Sequence, residues 1–123
     1  MSLKIGIKLY RMAKNTYKKW MVVLVNLDPT VGVEIRKTRP CLIISPDEVN
    51  KHLLTVVVAP LTSTIRNIPT RLLVNFDNQP GEICFDQIKA IDITRIIKVL
   101  GNIESAYRKQ ITQLLLTMFG NGD

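Results

Sequence analysis

The stretch Asn26-Leu27-Asp28-Pro29-Thr30-Val31-Gly32-Val33-Glu34-Ile35-Arg36-Lys37-Thr38-Arg39-Pro40 joins two apolar runs, residues 22–25 and 41–44, and its reading decides how the chain folds. Asp28-Pro29-Thr30 ends the first run, Gly32 frees the backbone, and Pro40 restarts an extended segment. The loop is therefore anchored at both ends. Its charged residues Asp28, Glu34, Arg36, Lys37 and Arg39 are presented on a held loop between strands, where binding and catalytic groups concentrate.

Outward from this loop the chain reads as short strands followed by one helix. Val22-Val23-Leu24-Val25, Cys41-Leu42-Ile43-Ile44 and Leu54-Thr55-Val56-Val57-Val58 are short runs, mostly β-branched, bounded by Asp and Pro, as strands buried on both faces are. Asp47 to Lys51 is long enough for a helical turn only. Arg71-Leu72-Leu73-Val74-Asn75-Phe76 is a further strand closed by the turn Asp77-Asn78-Gln79-Pro80-Gly81, a longer strand is expected from about 83 to 93, and Val99-Leu100 finish the sheet before Gly101. Tyr107, Ile111, Leu114, Leu115 and Met118 then fall on one face of an α-helix that Gly120 stops. Strands in this number with one closing helix fit a small, mainly β, strongly curved antiparallel barrel.

A chain of 123 residues, 46% of them apolar and 22% charged, supports one core and is too short for two. No stretch approaches the length of an apolar membrane span, and the lysine-bearing first twenty residues hold no continuous apolar signal core, so a cytoplasmic protein is expected. Cys41 and Cys84 show no CxxC or Cys/His spacing and read as buried free thiols; with the lone His52 taken as an exposed polar residue, no metal or other cofactor is expected. The net charge of +7 is uneven, because Lys4, Lys8, Arg11, Lys14, Lys18 and Lys19 precede Trp20 without an acid. Residues 1–19 read as a basic arm outside the core, able to attract RNA or merely to solubilise, with residues 20–123 as the domain. Met12 is a candidate natural start, and the alternation Leu3, Ile5, Ile7, Leu9 leaves an extra edge strand open.

Two further patches stand downstream: Ala59-Pro60-Leu61-Thr62-Ser63, and Phe85-Asp86-Gln87-Ile88-Lys89-Ala90-Ile91-Asp92-Ile93-Thr94-Arg95. With the first loop, which reads D-P-T-x-G-x-E-x-x-K-x-R-P, they resemble in order the signatures of the MazF/PemK family of toxin ribonucleases, over roughly Met21 to the C-terminal helix. The resemblance implies an SH3-like barrel, a homodimer, and metal-independent cleavage of single-stranded RNA to 2′,3′-cyclic phosphate and 5′-OH ends. It also implies neutralisation by an antitoxin with an acidic disordered tail, DNA being bound only through the antitoxin complex, and no membrane partner.

Such cleavage requires activation of a ribose 2′-OH, stabilisation of a phosphorane and protonation of the leaving 5′-oxygen. Arg39 offers a planar guanidinium able to bridge two phosphate oxygens, and the resemblance makes it the principal catalytic arginine. Thr62 carries by resemblance a phosphate-binding hydroxyl, Ser63 a lesser one, although a threonine here also caps its own turn. Glu34 would orient Arg39 or, alternatively, accept the 2′-OH proton; Arg36 and Lys37 contact flanking phosphates or are merely solvated. On a continuous strand Asp86 and Gln87 point to opposite faces; Gln87 reads either as a buried hydrogen-bonding group or as an RNA contact, and Asp86 is taken as an RNA contact.

The chain departs from the family in two places. Some relatives carry a catalytic arginine two residues before the aspartate, where this chain has Cys84, which leaves Arg39 with Thr62 as the centre. Relatives also begin the first strand with Gly-Asp, where this chain has Trp20-Met21; different backbone angles there, or a packed indole, are expected. Trp20 and Tyr17 either stack on bases or anchor the arm. Other readings are a CcdB-type toxin that binds DNA gyrase without catalysis, and a noncatalytic RNA-binding barrel.

Overall fold

The computed structural model describes residues 15–120. The basic residues Lys4, Lys8, Arg11 and Lys14, the alternating run 3–9 and Met12 lie outside the described residues. Strands β1 (Met21–Asn26), β2 (Thr38–Ile43), β3 (Thr55–Thr62), β4 (Arg71–Phe76), β5 (Gln79–Cys84), β6 (Lys89–Asp92) and β7 (Ile96–Asn102) precede one long helix, and a single helical turn, α1 (Asp47–Asn50), lies between β2 and β3. All pairings are antiparallel, in the order β4-β5-β3-β2-β1-β7 with β6 added beside β3. The hydrogen-bonded path does not close on itself among the described residues.

The apolar runs become strands because each buries both faces. Val22 joins one core cluster with Leu42, Ala59, Leu61, Val74, Ile83 and Ile111, while its neighbour Val23 joins the other with Val25, Cys41, Ile43, Val56 and Val58. The closing helix α2 (Arg108–Phe119) seats Ile111, fully buried, against the first cluster, with Leu114, Leu115 and Met118 beside it. Burying a side chain of that size contributes on the order of 2 kcal/mol. The Tyr107 hydroxyl accepts the Asn75 N–H at 2.9 Å and so ties the helix start to β4. Gly120 ends the helix with its N–H on the Leu116 carbonyl at 2.7 Å. No helix among the described residues is long and apolar enough to cross a membrane.

Three boundaries differ from the sequence reading. β2 and β3 run further into the motif patches, so that Arg39 and Thr62 are strand residues. The turn between β4 and β5 is only Asp77-Asn78, both at positive φ (53° and 59°), the geometry of a tight two-residue hairpin. Pro80 fits inside β5 because it faces Asn75, whose own N–H goes to Tyr107, so no ladder bond is asked of the proline nitrogen. The expected strand from 83 to 93 is also interrupted: Phe85–Gln87 form a 3-10 turn, which removes the alternation that had placed Asp86 and Gln87 on opposite faces.

The start of β1 resolves the Trp20 question. Trp20 adopts φ 78°, in the left-handed region that favours glycine, at a cost of about 1 kcal/mol for an L residue. Two backbone hydrogen bonds hold it there, Trp20 N–H to the Ile43 carbonyl and Ile103 N–H to the Trp20 carbonyl, both 2.9 Å. Its indole packs on the first cluster, with Lys19 Nζ 4.8 Å and the Arg108 guanidinium 5.3 Å from the ring centroid. Tyr17 packs against the second cluster, so both aromatics anchor the chain to the sheet.

Candidate functional site

β3 changes partner along its length. Thr55 to Val58 pair with β6, Val58 to Pro60 pair with β2, and the last two residues, Leu61 and Thr62, pair with Ile83 and Glu82 of β5. The β2–β3 ladder sets Cys41 against Pro60, so the same register continued for two residues puts Arg39 across from Thr62. Both line a cleft of about 370 Å³ with Pro40, Ser63, Thr64 and Asp77. Arg39 is exposed and forms no ion pair among the described residues. The Thr62 hydroxyl oxygen accepts the Thr64 N–H at 3.2 Å. That contact is the turn cap considered from sequence, and it leaves the hydroxyl proton available to donate outward. Ser63 is exposed in the same cleft.

The remaining expected residues are divided elsewhere. Glu34, Asp86, Gln87 and Lys89 line a second cleft of about 200 Å³, floored by Leu27, Ile35, Pro60 and Ile88. Glu34 does not orient Arg39: one carboxylate oxygen accepts the Val31 N–H at 3.0 Å and the other lies 3.9 Å from Lys89 Nζ. The reason is local, since Glu34 closes the turn made by its own loop, whose Glu34 N–H returns to the Val31 carbonyl. Arg36 donates to the Gly32 carbonyl at 3.3 Å. Lys37, at φ 65°, gives its N–H to Asp28 Oδ1 at 3.0 Å, so these two side chains lie on the loop's exposed flank and line neither cleft.

Asp86 is engaged by protein groups. Arg71 Nε and Nη2 donate to its two oxygens at 3.1 and 3.2 Å, and Thr70 Oγ1 donates at 3.3 Å. Partial burial pushes this carboxyl up, but the Arg71 guanidinium, the residue's own backbone N–H and the Thr70 hydroxyl together outweigh it and hold the group below the usual carboxylate range. Arg71 pairs across the β4–β5 ladder with Cys84, so a neighbouring strand brings an arginine to Asp86 although position 84 is cysteine. Gln87 is half-buried at the second cleft. Burial pushes the Cys41 thiol up to about 12 and the Cys84 thiol up to about 11, so both are free, protonated and poor nucleophiles.

The outer residues of the third patch brace the site. Arg95 Nη1 donates to the Asp28 carbonyl at 3.0 Å and holds the base of the charged loop. Asp92 caps its own 3-10 turn, and the Thr94 N–H and hydroxyl hold its carboxyl below the usual range. Sequence reasoning missed Asp77, Lys89, Arg71 and Glu82. Lys89 sat inside a recognised patch, whereas Arg71 reaches Asp86 through the β4–β5 register and Glu82 reaches the Arg66 and Asn67 N–H groups of the preceding loop, contacts that no local signal announces.

Residues 18–119 match the family model described as PemK-like, MazF-like toxin of type II toxin-antitoxin system. Among curated proteins the chain is 28% identical over 89 residues to Endoribonuclease MazF3 of Mycobacterium tuberculosis, covering 70% of this chain and 86% of that protein. Among solved structures it is similar to an endoribonuclease in complex with its cognate antitoxin from a mycobacterial species, with TM-score 0.74 and 25% identity, over 88% of this chain and 99% of that one. MazF of Deinococcus radiodurans shares the fold at TM-score 0.74 and 21% identity, over 85% of this chain and 96% of that one.

Proposed function

Since the chain belongs to the PemK-like, MazF-like family of type II toxins, we propose that it is an endoribonuclease that cuts single-stranded RNA at a short sequence without a metal. The products are 2′,3′-cyclic phosphate and 5′-OH ends. The observation that carries this reading is the meeting of Arg39 and Thr62 in one open cleft where β3 changes partner.

The ribose 2′-oxygen forms a bond to the adjacent phosphorus, the bond to the 5′-oxygen breaks, one proton leaves the 2′-OH and one is gained by the 5′-oxygen. Arg39 supplies paired N–H donors to the charge that develops on the phosphorane, and the Thr62 hydroxyl supplies another donor. Glu34, turned to its own loop and to Lys89, is left outside this chemistry. The carboxylate lining the Arg39 cleft is Asp77. Arg36 and Lys37, exposed on the loop, add salt-sensitive attraction for flanking phosphates.

Cutting mRNA in the cytoplasm inhibits translation and growth, and a cognate antitoxin neutralises the toxin by laying an acidic tail against its cationic loop and cleft. DNA is reached only through that complex. The toxin acts as a homodimer; the exposed Ile97, Val99 and Leu100 on the terminal strand β7 support a further contact there. A relative solved with its cognate antitoxin supports the pairing.

The test is incubation of the purified protein with a long single-stranded RNA in EDTA. Discrete fragments ending in cyclic phosphate are expected, and an oligonucleotide with a single deoxyribose 5′ to the mapped cut should resist cleavage there. Unbroken RNA overturns the nuclease reading. Cutting at the deoxy position would make water the nucleophile and overturn the 2′-OH mechanism.

A further inference from the structure

Glu82 is 2% exposed, an acid on a strand whose next residues, Ile83 and Cys84, are fully buried. A carboxylate in that position costs several kcal/mol unless its oxygens are satisfied. Among the described residues no side-chain cation does so. The Arg66 N–H donates to Oε1 at 2.8 Å and the Asn67 N–H to Oε2 at 3.0 Å, so each oxygen holds one of two successive backbone groups of the 63–70 loop. Glu82 also pairs directly with Thr62 in the β3–β5 ladder. Its neighbour Gly81 admits this approach, because a Cβ there would stand 2.7 Å from the Thr62 carbonyl oxygen. The loop so held begins with Ser63 and Thr64, which line the Arg39 cleft.

We infer that Glu82 is a positioning residue that fixes the 63–67 loop against the cleft and thereby sets which RNA sequences are accepted. The inference rests on the nuclease reading for its functional half. Two backbone donors on one buried carboxylate leave the loop a single docking geometry, and with it the direction of the Ser63 and Thr64 hydroxyls. In RNA recognition the unstacked bases are read by such loop groups, so a loop free to shift accepts more sequences and binds each less well.

The experiment compares the parent with Glu82→Gln and Glu82→Asp by amide hydrogen exchange at residues 66 and 67, thermal melting, and cleavage of a mixed-sequence RNA. In Glu82→Gln the new amide N–H group faces a backbone N–H, donor against donor. In Glu82→Asp the charge remains on a shorter arm. Exchange at 66 and 67 should accelerate about tenfold or more in both, the loss of a strong hydrogen bond to a charged acceptor. The cut sites should broaden, with KM for the preferred sequence rising more than kcat falls. Slow exchange of these amides in the variants would overturn the clamp, and if neither variant folds, fast exchange in the parent itself would do so. Loosened amides with an unchanged cut pattern and unchanged KM would overturn the role in recognition. A parent that cuts no RNA would overturn the nuclease reading and the recognition role together, while the exchange comparison still decides the clamp.

Discussion

The two clefts beside the end of β3 are built from the same family signatures, yet they differ in what their charges are doing. In the first, Arg39 forms no ion pair among the described residues and is exposed near the hydroxyls of Thr62, Ser63 and Thr64. In the second, Glu34 faces Lys89 and Asp86 is held by Arg71 and Thr70. A guanidinium without a carboxylate partner keeps its donors for an incoming phosphate, whereas a carboxylate held by two or three donors must give them up before it can serve a ligand. Motif membership therefore separates into a reactive half and a bracing half, and the division follows hydrogen-bond partners.

The largest expected effect belongs to the first cleft. Arg39→Ala should lower kcat for RNA cleavage by about 10²-fold or more, the usual consequence of losing one donor to a developing oxyanion. Its melting temperature should stay close to that of the parent, because Arg39 is exposed and forms no ion pair among the described residues. Arg39→Lys should also be poor, since it keeps the charge and loses the two-pronged geometry. A folded Arg39→Ala enzyme cutting within about threefold of the parent would erase the distinction between the clefts.

The second cleft should answer in stability before activity. Asp86 has its carboxyl held below the ordinary value, so the folded state binds this proton less readily than the unfolded chain does. Its stabilisation is complete above the unfolded value of about 4 and is lost as pH falls through the depressed folded value. Asp86→Asn should thus lower the melting temperature near neutral pH and flatten its fall below about pH 4. Arg71 sits on the other side of the same pair, so the double variant Arg71→Ala/Asp86→Asn should cost less than the sum of the singles. Melting curves from pH 2.5 to 7 decide this; an acid limb unchanged in Asp86→Asn would show that the pair does not brace the fold.

What the sequence made legible follows the reach of each signal. β1, β2 and the core of β3 announced themselves because Val22 and Val23, or Ala59 and Val58, bury opposite faces and leave a continuous apolar run. The helix declared itself through spacing alone, with Ile111 at its centre. The break at Phe85–Gln87 was not visible; Asp86 at its centre is held by Arg71, fifteen positions earlier, a contact that no local pattern signals. The turn was read over Asp77 to Gly81 because Asp, Asn, Pro and Gly all favour turns, while the tight hairpin settled on Asp77-Asn78 alone. At the site, Arg39 and Thr62 could be placed on the chain by motif and brought together only by register. Glu34 was placed equally well, but the direction of its side chain was settled by the Val31 N–H three residues away.

Glu34 gives the smallest expected effect and the sharpest discrimination. If it acted as the general base, or held Arg39 in line, removing its charge would cost about 10²-fold or more in kcat, with loss of an ionisation from the pH–rate profile. In the arrangement seen here, Glu34→Gln retains an amide oxygen able to accept the Val31 N–H. It forfeits only a 3.9 Å pairing with Lys89 between partly exposed side chains, an interaction worth at most about 1 kcal/mol in water. Cleavage should therefore stay within about threefold of the parent, and the pH–rate profile should keep its shape. A loss of about a hundredfold in kcat with unchanged KM would place a carboxylate back in the reacting cleft and move the boundary between the two halves of the motif.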